Sequence, residues 1–279
     1  MSTNIIEKLI KGILTILILA FFTGPLFYFM IISLKPEQDI WKLATLNFTF
    51  DNYVNILFRG VGQNSPTEIL YQPLINSLII TCTSTLITII VSLLASYSIA
   101  RFNYRGRESI AFFMLTLYMV PPIINLVPLW SMAQSLNLLD SHFFLILIYT
   151  YFGIPFTVWL LRSFFEGVPR ALEEAAMVDG DSRLGAFFHI TLPLLKPAIA
   201  AATILRFMFN WNEFLFASTL TATKAKTMPV AIAQFGAWLM IDWGTMSALG
   251  IIAIAPIILL SLFVQKYIIS GLTLGAVRE

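Results

Sequence analysis

Charge is scarce in this chain. Only 11% of its 279 residues are Asp, Glu, Lys or Arg, where a soluble domain carries about a quarter. With 58% hydrophobic residues and a mean hydropathy of +0.84, a water-solvated globule is excluded. A net charge of +2 is too small to suggest nucleic acid. Cysteine is nearly absent. Cys82 stands alone in an apolar run, which rules out an intramolecular disulfide. His142 and His189 are far apart and have no Cys or His at ligand spacing, so no metal site is legible. No G-x-x-x-x-G-K-S/T stretch occurs, so the chain lacks a phosphate loop of its own. No clustered nucleophile and base marks an enzyme.

What the chain has instead is long apolar runs that do not alternate, the signature of membrane-spanning helices. Six spans are predicted, near 13–34, 74–99, 109–129, 142–165, 197–217 and 246–264, joined by a polar segment at 166–196. The fold class expected is all-α integral membrane. The first run follows Lys8 and Lys11. It exceeds the roughly 7–15 residues of a signal h-region and has no small-x-small cleavage site, so it reads as a retained helix. "NFTFDNYVNILF" in the long loop 35–73 has apolar spacing suited to a short interfacial helix. Pro25, Pro121, Pro122, Pro128, Pro155 and Pro256 fall within spans, where proline bends a helix. No internal repeat or linker is visible, so residues 1–279 read as one domain.

Orientation follows from the cations. Lys8, Lys11, Arg101, Arg105, Arg107, Arg162, Arg170, Arg183, Lys196, Lys266 and Arg278 gather on one side, and Lys35, Lys42, Arg59, Lys224 and Lys226 on the other, eleven against five. Both termini and the 166–196 segment are therefore expected in the cytoplasm.

That segment holds "VPRALEEAAMVDGDSRLGAFFHITLPLLKPA". Pro169 suits a first helical turn. Glu173 and Glu174 lie where the helix dipole favours negative charge. Ala175 and Ala176 are strong helix formers. Gly180 can take the left-handed conformation that ends a helix. Asp181 or Ser182 can cap a second short helix running to about His189, with Pro193 and Pro197 ending it and opening the next span. The segment is either a solvated connector or a docking surface. Small exposed alanines beside the fixed carboxylates Glu173, Glu174 and Asp179 make more sense against a partner than in water, with Leu192 and Pro193 completing the docking motif.

The spacing E-A-A, three residues, G, nine residues, I-x-L-P is met by Glu174, Ala175, Ala176, Gly180, Ile190, Leu192 and Pro193. It resembles the cytoplasmic signature of ABC-importer permeases. "SLKP" (33–36), "FTFDNYVNIL" (48–57), "NSLI" (76–79), "SYSIARFNYRGRE" (96–108), "VPPIINLVPLW" (120–130), "WNEF" (211–214) and "GLTLGAVRE" (271–279) extend the resemblance over nearly the whole chain, to carbohydrate-importer permeases of the maltose type. "LTATKAKTMPVAIAQF" (220–235) is similar to trehalose- and maltose-type members. The resemblance implies a type I importer permease fold in a bacterial or archaeal cytoplasmic membrane. It also implies a second permease, two ATPase subunits that hold ATP and Mg, and an external sugar-binding protein. The 169–193 loop would then be the coupling helix, with Glu174 bearing an ion pair and Gly180 making a turn where a side chain would clash. Gly271, Leu272 and Gly275 would dock the tail on the ATPases, a frayed terminus being the alternative.

Other residues leave their alternatives open. Arg206 lies about 12 Å into the fifth span, where a charge at bilayer centre costs about 2.5–3.5 kcal/mol. It either snorkels or pairs with a partner, or lines the path. Glu213 shares its face but is too far along for a direct pair. Asn210, Trp211 and Asn212 offer amides and an aromatic platform for a sugar, or an ordinary interfacial cluster. In "GAWLMIDWG" (236–244), Trp238, Asp242 and Trp243 either contact the binding protein, as the resemblance implies, or form an aromatic belt. A di- or oligosaccharide such as trehalose or maltose is the expected solute. An importer of another solute, such as glycerol phosphate, is the alternative. An ion-coupled transporter is disfavoured, because buried carboxylates and inverted repeats are missing.

Overall fold

The computed structural model describes residues 2–42, 45, 47–236 and 242–275, and the side-chain surroundings of these apart from 2–6, 9 and 263–275. Most of the described residues are helical, and none belongs to a named strand. In chain order the helices are α1 (Ser2–Ser33), α2 (Asp51–Val54), α3 (Gln72–Arg101), α4 (Arg107–Met119), α5 (Leu126–Ser135), α6 (His142–Gly167) and α7 (Arg170–Val178). Then follow α8 (Arg183–Ala186), α9 (Leu192–Leu194), α10 (Lys196–Trp211), α11 (Leu215–Leu220), α12 (Met228–Gln234) and α13 (Trp243–Gly275).

The helices at the first, second, fourth and sixth expected spans are long and apolar enough to cross a membrane. The other two expected spans are helical but interrupted. The span near 109–129 is broken, with a bend of 86° between Arg107–Met119 and Pro122–Ser135. Pro121 and Pro122 donate no N–H, and a proline drives the preceding residue out of the helical region. Val120 and Pro121 accordingly take ψ of 122° and 128°. The span near 197–217 stops at Trp211. The Glu213 carboxylate takes the N–H groups of Phe216 (2.9 Å) and Ala217 (3.1 Å), which starts α11 as a separate helix. Pro193 does not end its helix either. It sits inside α9, and the 72° bend falls at Leu195, between Arg183–Leu194 and Lys196–Trp211.

The chain divides into two compact units, residues 1–71 with 231–255, and residues 72–230 with 256–279. In the first, α1 is almost wholly exposed along its apolar stretch Ile10–Ser33. Its end is clamped by the loop that follows. Asn52 donates to the carbonyls of Ser33 and Lys35, Tyr53 bonds the Ser33 hydroxyl, and buried Lys35 donates to the Lys42 carbonyl. The expected interfacial helix is present as α2, which widens into a π turn at Asn55–Arg59.

In the second unit α3 packs along α6, and α10 along both. Buried Ser77, Thr81, Ser84, Thr85, Thr88, Ser92 and Ser96 line one side of α3. Small hydroxylated residues let membrane helices approach closely. One apolar cluster gathers Ile80, Phe144, Leu145, Ile148, Phe216 and Leu220, and another gathers Tyr97, Leu161, Phe165, Phe187 and Leu195.

A polar knot ties the α5–α6 corner to the loop after α11. The Asp140 carboxylate accepts backbone N–H groups from Ala222, Thr223, Lys224 and Ala225 at 2.9–3.1 Å. Burial acts to raise its pKa, but these four donors outweigh it and hold the carboxyl well below the usual carboxylate range. Its folded pKa is thus below the unfolded value of about 3.9, so its stabilisation is complete above that pH and fades as pH falls further. Asp140→Asn should cost about 1–2 kcal/mol at pH 7, a low figure for charge-assisted bonds because the loop is partly solvated. Thermal unfolding checks this. The gap between variant and parent should begin to narrow below about pH 4 and close only as pH falls through the lowered folded pKa.

Candidate functional site

The segment after α6 folds as the sequence predicts at its outer surface. Pro169 precedes α7 as its N-cap residue, and Gly180 ends the turn with φ +99°. Among the described residues a Cβ on Gly180 would meet nothing within 4 Å, so glycine is required here for backbone conformation and not to avoid a clash with them. Of the two candidate caps Ser182 serves, its hydroxyl accepting the Gly185 N–H at 3.0 Å. Asp181 instead bonds His189 Nδ1 at 2.8 Å. The second helix runs past its expected end near His189, because α8 continues through a π turn at Phe187–Thr191 into α9.

The motif has two faces. Glu174, Ala175, Asp179, Gly180 and Pro193 are exposed, and Ala176 half-buried. Val178 (87% exposed), Leu184 (67%) and Phe188 (56%) add an apolar outer surface. Glu173 and Leu192 correct the expectation that the whole motif is a docking surface. Leu192 packs against the inner apolar cluster. Glu173 is 6% exposed and ion-paired to Arg101, Oε1 to Nε, at 2.7 Å. Thr191 donates to the same carboxylate at 2.6 Å, and Tyr97 at 3.2 Å. Arg101 also donates to the Val168 carbonyl, and Arg170 to that of Ala100. A buried charge needs a partner and further hydrogen bonds, and each is supplied from a different stretch of chain. The α7 segment is thereby fastened to the end of α3. Adjacent carboxylates point about 100° apart around a helix, so the doublet Glu173–Glu174 was a readable signal that one faces inward.

The expected path residues separate likewise. Asn210 is buried, its amide donating to Ser84 (2.9 Å) and Thr85 (3.2 Å) while its carbonyl accepts from Arg206. Arg206 also donates to the Tyr149 carbonyl at 3.1 Å. Gly153 makes room for it, since a Cβ there would lie 2.7 Å from Arg206 Nε. Tyr149 donates its hydroxyl to Glu213 at 2.8 Å, so Arg206 and Glu213 are linked through Tyr149 without pairing directly. Trp211, readable from sequence either as a sugar platform or as an ordinary interfacial aromatic, is buried and stacks on Phe207 at 5.6 Å. Asn212 is exposed. The hydroxylated stripe of α3 that receives Asn210 was missed, although its three-to-four-residue spacing is legible in the sequence.

Asp242 accepts the Thr245 N–H at 2.9 Å and so caps α13, and Trp243 meets Trp41 edge to face at 5.8 Å. Trp238 lies outside the described residues. Helix α13 continues through Gly271 and Leu272 to Gly275, and the rest of the tail lies outside the description. Among the described residues no group of three or more metal-ligating side chains comes together.

Comparison with known proteins now bears on this arrangement. Residues 88–273 match the family described as binding-protein-dependent transport system inner membrane component. The trehalose/maltose transport system permease protein MalG of Thermococcus litoralis is 35% identical, over 100% of this chain and 99% of its own. The trehalose transport system permease protein SugB of Mycobacterium tuberculosis is 35% identical over 96% of each chain. A chain of a bacterial ABC transporter involved in import of the acidic polysaccharide alginate superposes with a TM-score of 0.79 at 20% identity, covering 96% of this chain and 98% of that one. That likeness shows the fold, an all-helical membrane architecture shared with that transporter chain. With the family matched over most of its length, and relatives aligned end to end, this chain belongs to the binding-protein-dependent transport system inner membrane components.

Proposed function

We propose that the chain is the membrane-spanning subunit of an ATP-driven sugar importer. It forms the translocation path with a second permease and receives a di- or oligosaccharide, such as trehalose or maltose, from an external binding protein. The 169–193 loop seats on one of two ATPase subunits, which hold ATP and Mg; this chain binds no cofactor of its own. Both termini and the loop face the cytoplasm, in keeping with the eleven-to-five cation asymmetry. The tail after Gly271 docks between the ATPases.

The observation that carries this reading is the two-faced motif. Glu173 is locked inward against Arg101, while Glu174 stands exposed beside Ala175 and Gly180. A merely solvated connector gains nothing from a buried ion pair on one side and a bare apolar-and-acidic face on the other. ATP-driven closure of the ATPases acts by favouring one of two permease conformations, and a fastened α7 carries that bias into α3. The names of the relatives support a sugar as solute.

The test is a tagged pull-down from mild detergent, with the chain produced beside its native partners. A second permease and an ATPase should be recovered, and Glu174→Lys should lower ATPase recovery at least tenfold while sparing the second permease. A chain recovered alone, and transporting alone without ATP, would overturn the proposal.

A further inference from the structure

The elbow between α4 and α5 sits at an awkward depth. Tyr118 is eleven residues from the start of α4 and Tyr151 nine from the start of α6, about 16 Å and 14 Å at 1.5 Å per residue. Both therefore lie near the middle of a hydrocarbon core about 30 Å thick. Here the backbone is interrupted. The helical partner of the Tyr118 carbonyl would be the N–H of residue 122, which is proline. Interrupted backbone at membrane depth is tolerated only where protein covers it or water reaches it.

The side chains at the elbow make the same demand. Tyr118, Asn125, Tyr151, Phe152 and Pro155 line a cleft of about 140 Å³. Tyr118 and Tyr151 are 44% and 58% exposed. No hydrogen bond is made by the Tyr118 hydroxyl, the Tyr151 hydroxyl or the Asn125 amide to any described residue. A polar group left unsatisfied in hydrocarbon is strongly disfavoured, and none of these is long enough to reach the interface. The rings are held from behind. Tyr118 stacks on Phe156 at 5.2 Å, and Phe152 on Phe216 at 5.0 Å. The expected platform at 210–213 is occupied, because Asn210 is spent within the protein and Trp211 is stacked and buried.

We propose that this cleft is a sugar-contact site on the translocation path. The inference rests on the sugar-importer reading above. The aromatic rings face the apolar side of a pyranose, and Asn125 with the two phenols bonds its hydroxyls. A polyhydroxylated ring meets both demands of the cleft, since it offers hydrogen-bonding groups at its rim and C–H groups on its face. Neither a lipid chain nor water alone meets both.

The test uses the whole transporter with its binding protein in proteoliposomes, and trehalose and maltose as probes. Asn125→Ala and Tyr151→Phe should each raise the uptake KM about tenfold, because a site built to bond hydroxyls loses affinity when one donor goes. Sugar-free ATPase activity and subunit recovery should not change. In a Cys82→Ser background, Tyr151→Cys should react with a charged methanethiosulfonate, and the imported sugar should slow that reaction at least fivefold. Unchanged KM values would overturn the site. So would labelling only by a lipid-soluble maleimide, which would mean that lipid covers the cleft, or cross-linking to the second permease with no effect of sugar, which would mean a packed interface. A wild-type complex that imports no sugar would overturn the sugar-importer reading as well. A wild type that imports while the variants match it removes the site alone.

Discussion

Glu173→Gln is expected to lower the stability of the purified complex by about 3 kcal/mol. That is the lower end of the roughly 3–5 kcal/mol seen when one partner of a buried ion pair is removed, because glutamine keeps an oxygen for Thr191 and Tyr97. The cost comes from Arg101. Its side chain is 5% exposed, and without the carboxylate its charge is left buried and uncompensated. Thermal unfolding in detergent reads this directly. Replacing both partners, as in Arg101→Met with Glu173→Met, should recover most of the lost stability, because apolar pairs of similar volume often match a buried ion pair. Transport should not recover with it, since the directional tie between α7 and α3 is gone. If Glu173→Gln unfolds at the parent temperature, the network does not fasten the segment.

The second large effect is functional. Gly180→Asp should reduce sugar import at least tenfold while the chain still folds. At φ +99° an L-residue is strained by about 1–3 kcal/mol, and nothing within 4 Å obstructs the new side chain. The strain is therefore relieved locally, by changing the turn that sets α8 against α7. Basal ATPase activity of the complex should persist, uncoupled from uptake. Normal import by this variant would defeat the docking role of the loop.

These predictions mark where the sequence was legible. The apolar runs, the helix ended by Gly180 and the family signature all depend on local pattern, and each stands in the fold. The breaks were harder. The pair Pro121–Pro122 announced a bend, but its 86° angle depends on how α5 packs. Glu213 reads in sequence as one more helical residue, and only its bonds to Phe216 and Ala217 show it ending one helix and beginning another. Trp211 misled for a related reason. An aromatic flanked by asparagines suggests a sugar platform, yet Phe207, one turn earlier, covers it. The doublet Glu173–Glu174 signals in sequence that one carboxylate faces inward, and the placement of Arg101 and Thr191 decides that it is Glu173.

The apolar outer surface of the 169–193 loop has a consequence for biogenesis. Val178, Leu184 and Phe188 lie on a short, turn-rich stretch at the protein surface. In the proposed assembly the ATPase covers them soon after synthesis. A copy made without that partner carries, beside its membrane helices, an adhesive loop that is also open to proteolysis. Accumulation of the subunit in the cell should then track the supply of its ATPase more closely than its own rate of translation, so the stoichiometry of the complex would be policed by degradation of the orphan.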